Sequence, residues 1–150
     1  MSIPTQELYN AYCEIMQKAA DLNNASAVLG WDQEVYMPPK SAPIRARQLA
    51  TLATEAHNLL TGTTLESLLG ELSQRADLTE DELVNVALST KDLEKNKKLP
   101  ASFVDELSHQ TSECFNAWID ARKKNDFSVF APSLAKMIAL KRKQVAYYGF

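Results

Sequence analysis

Two consecutive prolines, Pro38 and Pro39, interrupt a chain whose apolar pattern is otherwise that of amphipathic helices. Neither proline can donate a backbone hydrogen bond, and each disfavours helical geometry in the residue before it. The sequence therefore predicts an extended crossing over residues 37–40 that joins two helices. Because Trp31 and Tyr36 lie just before this crossing, we expect the connection to pack firmly against the bundle and shelter their apolar surface.

Ahead of the prolines, apolar residues recur every three or four positions, which is the spacing of one face of an α-helix. Thr5 follows Pro4 and suits the N-cap position, while either Gly30 or the proline pair would end the helix. The pattern predicts a first helix of about seven turns. Its apolar face consists of Leu8, Tyr12, Ile15, Ala19, Leu22 and Leu29.

The stretches beyond the prolines have the same period and predict the remaining helices. Ser41 suits the N-cap of a second helix that ends near Gly62, a short leucine-rich third helix follows, and Thr79 with Glu82 fits a capping box that opens a fourth. Two further apolar stripes predict the last two helices, and each stripe should face the core. They are Val104, Leu107, Thr111, Cys114, Trp118 and Ala121, and then Leu134, Met137, Ile138, Lys141 and Val145.

No segment has the strict alternation of a half-buried strand. The predicted fold class is therefore all-α, with five to six helices in an antiparallel-leaning bundle with short loops. A chain of 150 residues corresponds to about one domain, and its hydrophobic content of 45% is ordinary for a globular protein.

The charge, the first residues and the cysteines indicate which partners and which compartment to expect. The 16 Lys and Arg against 19 Asp and Glu give a net charge of -3, so we expect neither nucleic acid nor a membrane as a partner. Residues 1–4 lack the features of a signal peptide, which predicts a cytoplasmic protein. In that reducing compartment the isolated thiols of Cys13 and Cys114 are expected to be core residues.

Residues that could carry catalysis are sparse. The two histidines, His57 and His109, fall in different predicted helices, so the chain lacks a His-Glu-x-x-His segment, in which two imidazoles one turn apart share a metal. Neither cysteine has a histidine at a recognisable spacing, and no Gly-x-Ser-x-Gly segment or phosphate-binding glycine loop is present. We therefore predict no catalytic residue, no metal ligand and no cofactor site within this chain.

Two blocks of the sequence resemble a known family. The first comprises Leu29, Trp31-Asp32, Met37-Pro38 and Arg45 to Leu49. The second comprises Leu99-Pro100, Trp118, Ala121-Arg122, Asn125-Asp126-Phe127 and Phe130 to Leu134. In these blocks the chain resembles the N-terminal region of the thermostable carboxypeptidase Taq family of HExxH metallocarboxypeptidases. It departs from that pattern at Pro39-Lys40, where a glycine is more often found nearby.

The resemblance implies an enzyme, dependent on zinc or cobalt, that removes single residues from the C-terminal end of peptides. It also implies a larger helical metallopeptidase fold with a deep cleft, and a homo-oligomer. In that family the metal ligands and the catalytic glutamate lie in a segment well beyond position 150, so none carries over. Residues 1–150 are expected to be the N-terminal helical cap region of a longer metallocarboxypeptidase, inactive alone. Its partners would be the missing C-terminal catalytic region and a peptide substrate.

Four residues of the first block are candidates for lining the cleft, namely Trp31, Asp32, Arg45 and Arg47. The alternative is structural: Trp31 would be buried packing, and Asp32 would cap locally or pair with Arg45 or Arg47. The segment would then only fix the angle between two helices. The alternative to the enzyme as a whole is a non-enzymatic helical interaction module, whose long first and fifth stripes would bind another chain.

Overall fold

The computed structural model describes residues 3–150, and in this part of the chain every regular element is helical. Six α-helices and two short 3-10 segments are present there, which confirms the predicted all-α class. None of the described helices combines the length and the apolar character needed to cross a membrane. The helices are α1 (Thr5–Val35), α2 (Ala42–Thr61), α3 (Thr63–Leu72), α4 (Glu80–Asn96), α5 (Ala101–Lys124) and α6 (Ala131–Tyr148), and the 3-10 segments are Pro39–Ser41 and Phe127–Val129.

Four of the helices stand in a row. α2 packs against α1 on one side and against α5 on the other, and α5 packs in turn against α6. The buried residues of α2 are Ala46, Ala50 and Ala56, whose small side chains let the neighbouring helices approach closely. α3 and α4 form a second layer over the half of the row that contains α1 and α2.

The main core lies where α1, α3 and α4 meet. Tyr12 of α1 is buried in it, and its hydroxyl lies 2.7 Å from Ser89 Oγ of α4. Cys13 packs against the same cluster as a half-buried free thiol. Burying each large apolar side chain stabilises the fold by about 1.5 to 3 kcal/mol. The buried members are Leu8, Tyr12, Leu65, Leu69, Leu72, Val86 and Leu93.

A smaller cluster joins α5 to α6. Phe103 at the start of α5 is buried and meets the Tyr147 ring near the end of α6 edge to face, with 5.1 Å between the ring centroids. Gln110 of α5 donates through Nε2 to the Ser133 hydroxyl at 3.1 Å. The start of α5 lies beside the end of α6, so the two helices run antiparallel. The buried members are Leu99, Phe103 and Leu140.

The helix starts test the capping predictions. Thr79 and Glu82 form the predicted capping box, in which the Thr79 N–H donates to the Glu82 carboxylate at 2.9 Å. The prediction that Thr5 caps α1 is wrong, because Pro4 occupies the N-cap position. The Thr5 hydroxyl instead donates to the Asp77 carboxylate at 2.8 Å, and so joins α1 to the segment before α4.

α1 is longer than the predicted seven turns, and of its two predicted ends the proline pair is correct and Gly30 is not. It runs through Gly30 to Val35, a length of 31 residues or about eight and a half turns. A glycine inside a helix costs only about 1 kcal/mol relative to alanine, so the flanking helical sequence continues past it. Pro38 is extended, but Pro39 already begins a 3-10 turn that ends at Ser41. The extended crossing is therefore shorter than residues 37–40.

The stripes predicted to face the core in α5 and α6 are only partly correct. In α5, Ala121 of the predicted stripe is buried but Trp118 is exposed. In α6, Ile138 and Val145 of the predicted stripe are exposed, whereas Leu140 outside it is buried. Both helices are apolar on more than one face, and periodicity alone does not select which face meets a neighbour.

Candidate functional site

The candidate residues lie at the corner where α1 meets α2. Asp32 is in the last turn of α1 and Arg45 is in the first turn of α2, and Nη2 of Arg45 donates to Asp32 Oδ2 at 2.6 Å. Nη1 of Arg45 donates to the Leu29 carbonyl oxygen, and Nε donates to Gln48 Oε1 at 3.2 Å. Every nitrogen of the guanidinium is engaged, so Arg45 anchors the corner.

Partial burial and helix polarity both favour this ion pair. The Arg45 side chain is 12% exposed and that of Asp32 is 35% exposed, so water screens the pair less than it screens a surface pair. A carboxylate in the last turn of a helix is repelled by the negative end of the dipole, and Arg45 offsets that repulsion. The Asp32 carbonyl oxygen accepts the N–H groups of Tyr36 and Met37 at 3.0 and 2.9 Å, which closes α1.

Trp31 is not buried packing. Its ring meets that of Tyr36 edge to face with 5.5 Å between centroids, and the two residues are 57% and 72% exposed. The prediction that the connection shelters these aromatic rings against the bundle is therefore wrong. The α1 residues that pack in the main core lie between Leu8 and Met16, far from the end of the helix. The two rings therefore shelter each other at the surface.

Arg47 is the second arginine of the block and differs from Arg45. It is exposed, and its guanidinium forms no hydrogen bond or ion pair with any other residue between positions 3 and 150. Its carbonyl oxygen accepts the Thr51 hydroxyl at 3.0 Å. A guanidinium at the surface can bind a carboxylate through two parallel hydrogen bonds. Trp31 and Arg47 thus have free surface for a ligand, whereas Asp32 and Arg45 hold the corner.

A cavity lies where α5 meets the 3-10 segment Phe127–Val129. Its lining residues belong to the second block of the sequence, for which no cavity was predicted. Asn125 ends α5 in the left-handed conformation, with φ 50°. The Asp126 carboxylate then accepts the hydroxyl and the N–H of Ser128 at 2.7 and 2.9 Å, and these bonds lower the pKa of Asp126. The available signal was the aromatic content of the second block. The cavity of about 380 Å³ is lined by Trp118, Arg122, Asn125, Asp126, Phe127 and Phe130.

The described residues do not fit a metal site. Between positions 3 and 150, no three His, Cys, Asp or Glu side chains are grouped so that they could hold an ion. His57 lies in α2, where its Nε2 is 2.8 Å from the Leu99 carbonyl oxygen, and His109 lies in α5. The zinc or cobalt that the resemblance implies would therefore need ligands from outside this range.

The sequence matches known proteins over nearly all of its length. The family described as Carboxypeptidase Taq (M32) metallopeptidase matches residues 11–149. Carboxypeptidase 1 of Bacillus subtilis (strain 168) is 30% identical over 151 residues, which cover 100% of this chain and 30% of the relative. The chain spans 26% to 30% of the length of the curated relatives compared.

Solved structures share the fold over the same range. The BsuCP crystal structure superposes with a TM-score of 0.86 at 29% sequence identity, over 97% of this chain and 29% of that one. The structure of CHT is 51% identical with a TM-score of 0.71, over 96% of this chain and 29% of that one. The sequence and the fold together place this chain in the carboxypeptidase Taq (M32) family of metallopeptidases.

Proposed function

We propose that this chain is the N-terminal helical cap region of a metal-dependent carboxypeptidase, and that it forms one wall of a cleft in which peptides lose their C-terminal residues. The proposal rests on the difference in length between this chain and its relative. The match covers 100% of this chain but only 30% of the Bacillus subtilis carboxypeptidase. The metal of such an enzyme needs ligands, and the described residues do not gather a group that could supply them. We therefore assign the ligands to the rest of the protein.

In this proposal the corner of α1 and α2 contributes to the cleft wall. The exposed Trp31 ring can pack against an apolar side chain of a peptide, and the free Arg47 guanidinium can donate to its carbonyl or carboxylate oxygens. Asp32 and Arg45 are positioning residues, because their ion pair holds the two helices that carry Trp31 and Arg47.

The test uses the whole protein that contains this sequence. We expect it to release single residues from the C-terminal end of unblocked peptides, to lose that activity on treatment with a chelator and to regain it on addition of zinc or cobalt. A peptide with an amidated C-terminus is the matched control and should not be cleaved. A whole protein that binds metal but cleaves neither peptide would contradict the proposal.

A non-enzymatic helical interaction module is the competing function. Exposed apolar side chains favour it, among them Val28 and Trp31 on α1 and Ile138 and Val145 on α6. Such surface is typical of a protein interface, and also of a region separated from the remainder of its fold. A whole protein without peptidase activity that forms a stable complex through these side chains would establish the module instead.

A further inference from the structure

α6 has two apolar faces, and only one of them has a partner in the described structure. The inner face packs against α5 through Leu140. At 100° per residue, Leu134, Ile138 and Val145 lie roughly 140° around the helix from Leu140. These three belong to the stripe that periodicity predicts for the core. We define the outer face of α6 as Leu134, Met137, Ile138, Lys141 and Val145.

The outer face is open at Ile138, Lys141 and Val145, whereas Leu134 and Met137 are half-buried. Ile138 and Val145 are 45% and 48% exposed, and they line a groove of about 450 Å³ together with Met137, Lys141 and Arg142. α6 packs against α5 and the second 3-10 segment at the end of the row of helices. A helix that is apolar on two faces is typical of one buried between two layers. α3 and α4 form a second layer over α1 and α2, but no helix within residues 3–150 covers the outer face of α6 in the same way.

We propose that the outer face of α6 is the docking surface for another helix of the same polypeptide, from the part of the M32 fold that this chain does not span. This inference rests on the proposed function. The two solved relatives support this occupant, since the superposed region is 96% to 97% of this chain but 29% of each of theirs. The fold that this chain matches therefore contains further polypeptide that can supply a second layer.

The charge on α6 specifies the chemistry of that helix. α6 carries four cations, Lys136, Lys141, Arg142 and Lys143, and contains no Asp or Glu. Lys141 and Arg142 line the groove of the outer face, whereas Lys143 pairs with Glu106 of α5 on the inner side. A second copy docked through the outer face would therefore bring four cations and no α6 carboxylate into one contact, which is repulsive. The occupant should instead place aliphatic side chains over Ile138 and carboxylates beside Lys141 and Arg142.

Cysteine accessibility in the whole protein tests this proposal. Ile138→Cys places a thiol on the outer face, and Val84→Cys places one on α4, where Val84 is 52% exposed and serves as the matched control. Both variants are made with Cys13 and Cys114 replaced by alanine. We expect a polar maleimide to label the thiol at position 138 at least about a hundredfold more slowly than the thiol at position 84, and both at equal rates in denaturant.

Equal labelling rates in the native protein would overturn the proposal. Protection from labelling that disappears when the protein is diluted to a monomer would also overturn the proposal, because a second copy would then be what covers the outer face. Val145→Cys replaces Ile138→Cys if that variant does not fold. Each preparation is also assayed for release of C-terminal residues. A protected thiol in an inactive protein supports the docking surface and refutes the proposed function. Rapid labelling in an active enzyme refutes the docking surface and supports the proposed function.

Discussion

Arg45 and Asp32 form an ion pair of 2.6 Å that joins the first turn of α2 to the last turn of α1. The pair between Lys97 and Glu66 has nearly the same length, 2.7 Å, but its side chains are 43% and 48% exposed. Solvent screens the exposed pair, so its contribution to stability is small. Removal of the Asp32 carboxylate would instead leave the nearly buried guanidinium of Arg45 without a charged partner, which costs more.

Asp32→Asn should lower the free energy of unfolding by about 1 to 2 kcal/mol, because the mostly buried guanidinium keeps only neutral acceptors. Glu66→Gln is the matched control and should cost less than about 1 kcal/mol. Chemical denaturation measures both. In the whole protein, assayed for the proposed peptidase activity, the folded fraction of Asp32→Asn should keep its kcat. A large fall in kcat without a loss of stability would show that Asp32 takes part in the reaction.

Trp31→Ala should change stability by less than about 1 kcal/mol, since the ring is mostly in water. If the ring lines the proposed cleft, the same substitution raises KM for peptides severalfold in the whole protein assayed for peptidase activity. Leu88→Ala on α4 is the matched control, because Leu88 and Trp31 are both 57% exposed. An unchanged KM for Trp31→Ala would remove Trp31 from the proposed cleft wall.

Thr79→Ala should cost about 1 kcal/mol, because it removes the side-chain oxygen that accepts the Glu82 N–H at the start of α4. Ser41 also occupies an N-cap position, but its side chain forms no capping hydrogen bond. Ser41→Ala should therefore be nearly neutral. The comparison is made by thermal unfolding, and equal losses for the two variants would contradict the structural difference between the two caps.

The stability of the main core should fall at alkaline pH. Burial raises the pKa of Tyr12, and the hydrogen bond with Ser89 lowers it by less. A raised folded-state pKa means that the stabilisation is complete below the unfolded pKa of about 10 and is lost as pH rises through the folded value. Urea titrations from pH 8 to pH 11.5 should show this loss, and Tyr12→Phe should reduce it. The same loss in both proteins would contradict the assignment to Tyr12.

Local signals predicted the helices well. The capping box at Thr79 depends on residues three positions apart, so its geometry is contained in the sequence. Of the two predicted ends of α1, Gly30 is wrong, because one glycine does not outweigh the helical residues on both sides. The proline pair is the correct alternative, since α1 ends at Val35 and Pro38 is extended.

Tertiary choices could not be predicted in the same way. The sequence allowed Asp32 to pair with Arg45 or with Arg47. Arg45 is selected because it lies on the face of α2 that is turned toward Asp32, whereas Arg47 lies roughly 200° around the helix from it. The exposure of Trp31 likewise depends on how far α1 extends past its partners. For α6 the apolar stripe was visible, but a helix with two apolar faces does not reveal which one meets α5.

Calorimetric titration of purified residues 1–150 with zinc and with cobalt tests the central claim most directly, namely that this chain is a cap whose metal is held elsewhere. We predict no stoichiometric binding of either ion at micromolar concentration, because no three ligand side chains are grouped within the described range. Binding of one ion per chain in that range of concentration, together with release of C-terminal residues from a peptide, would contradict the account.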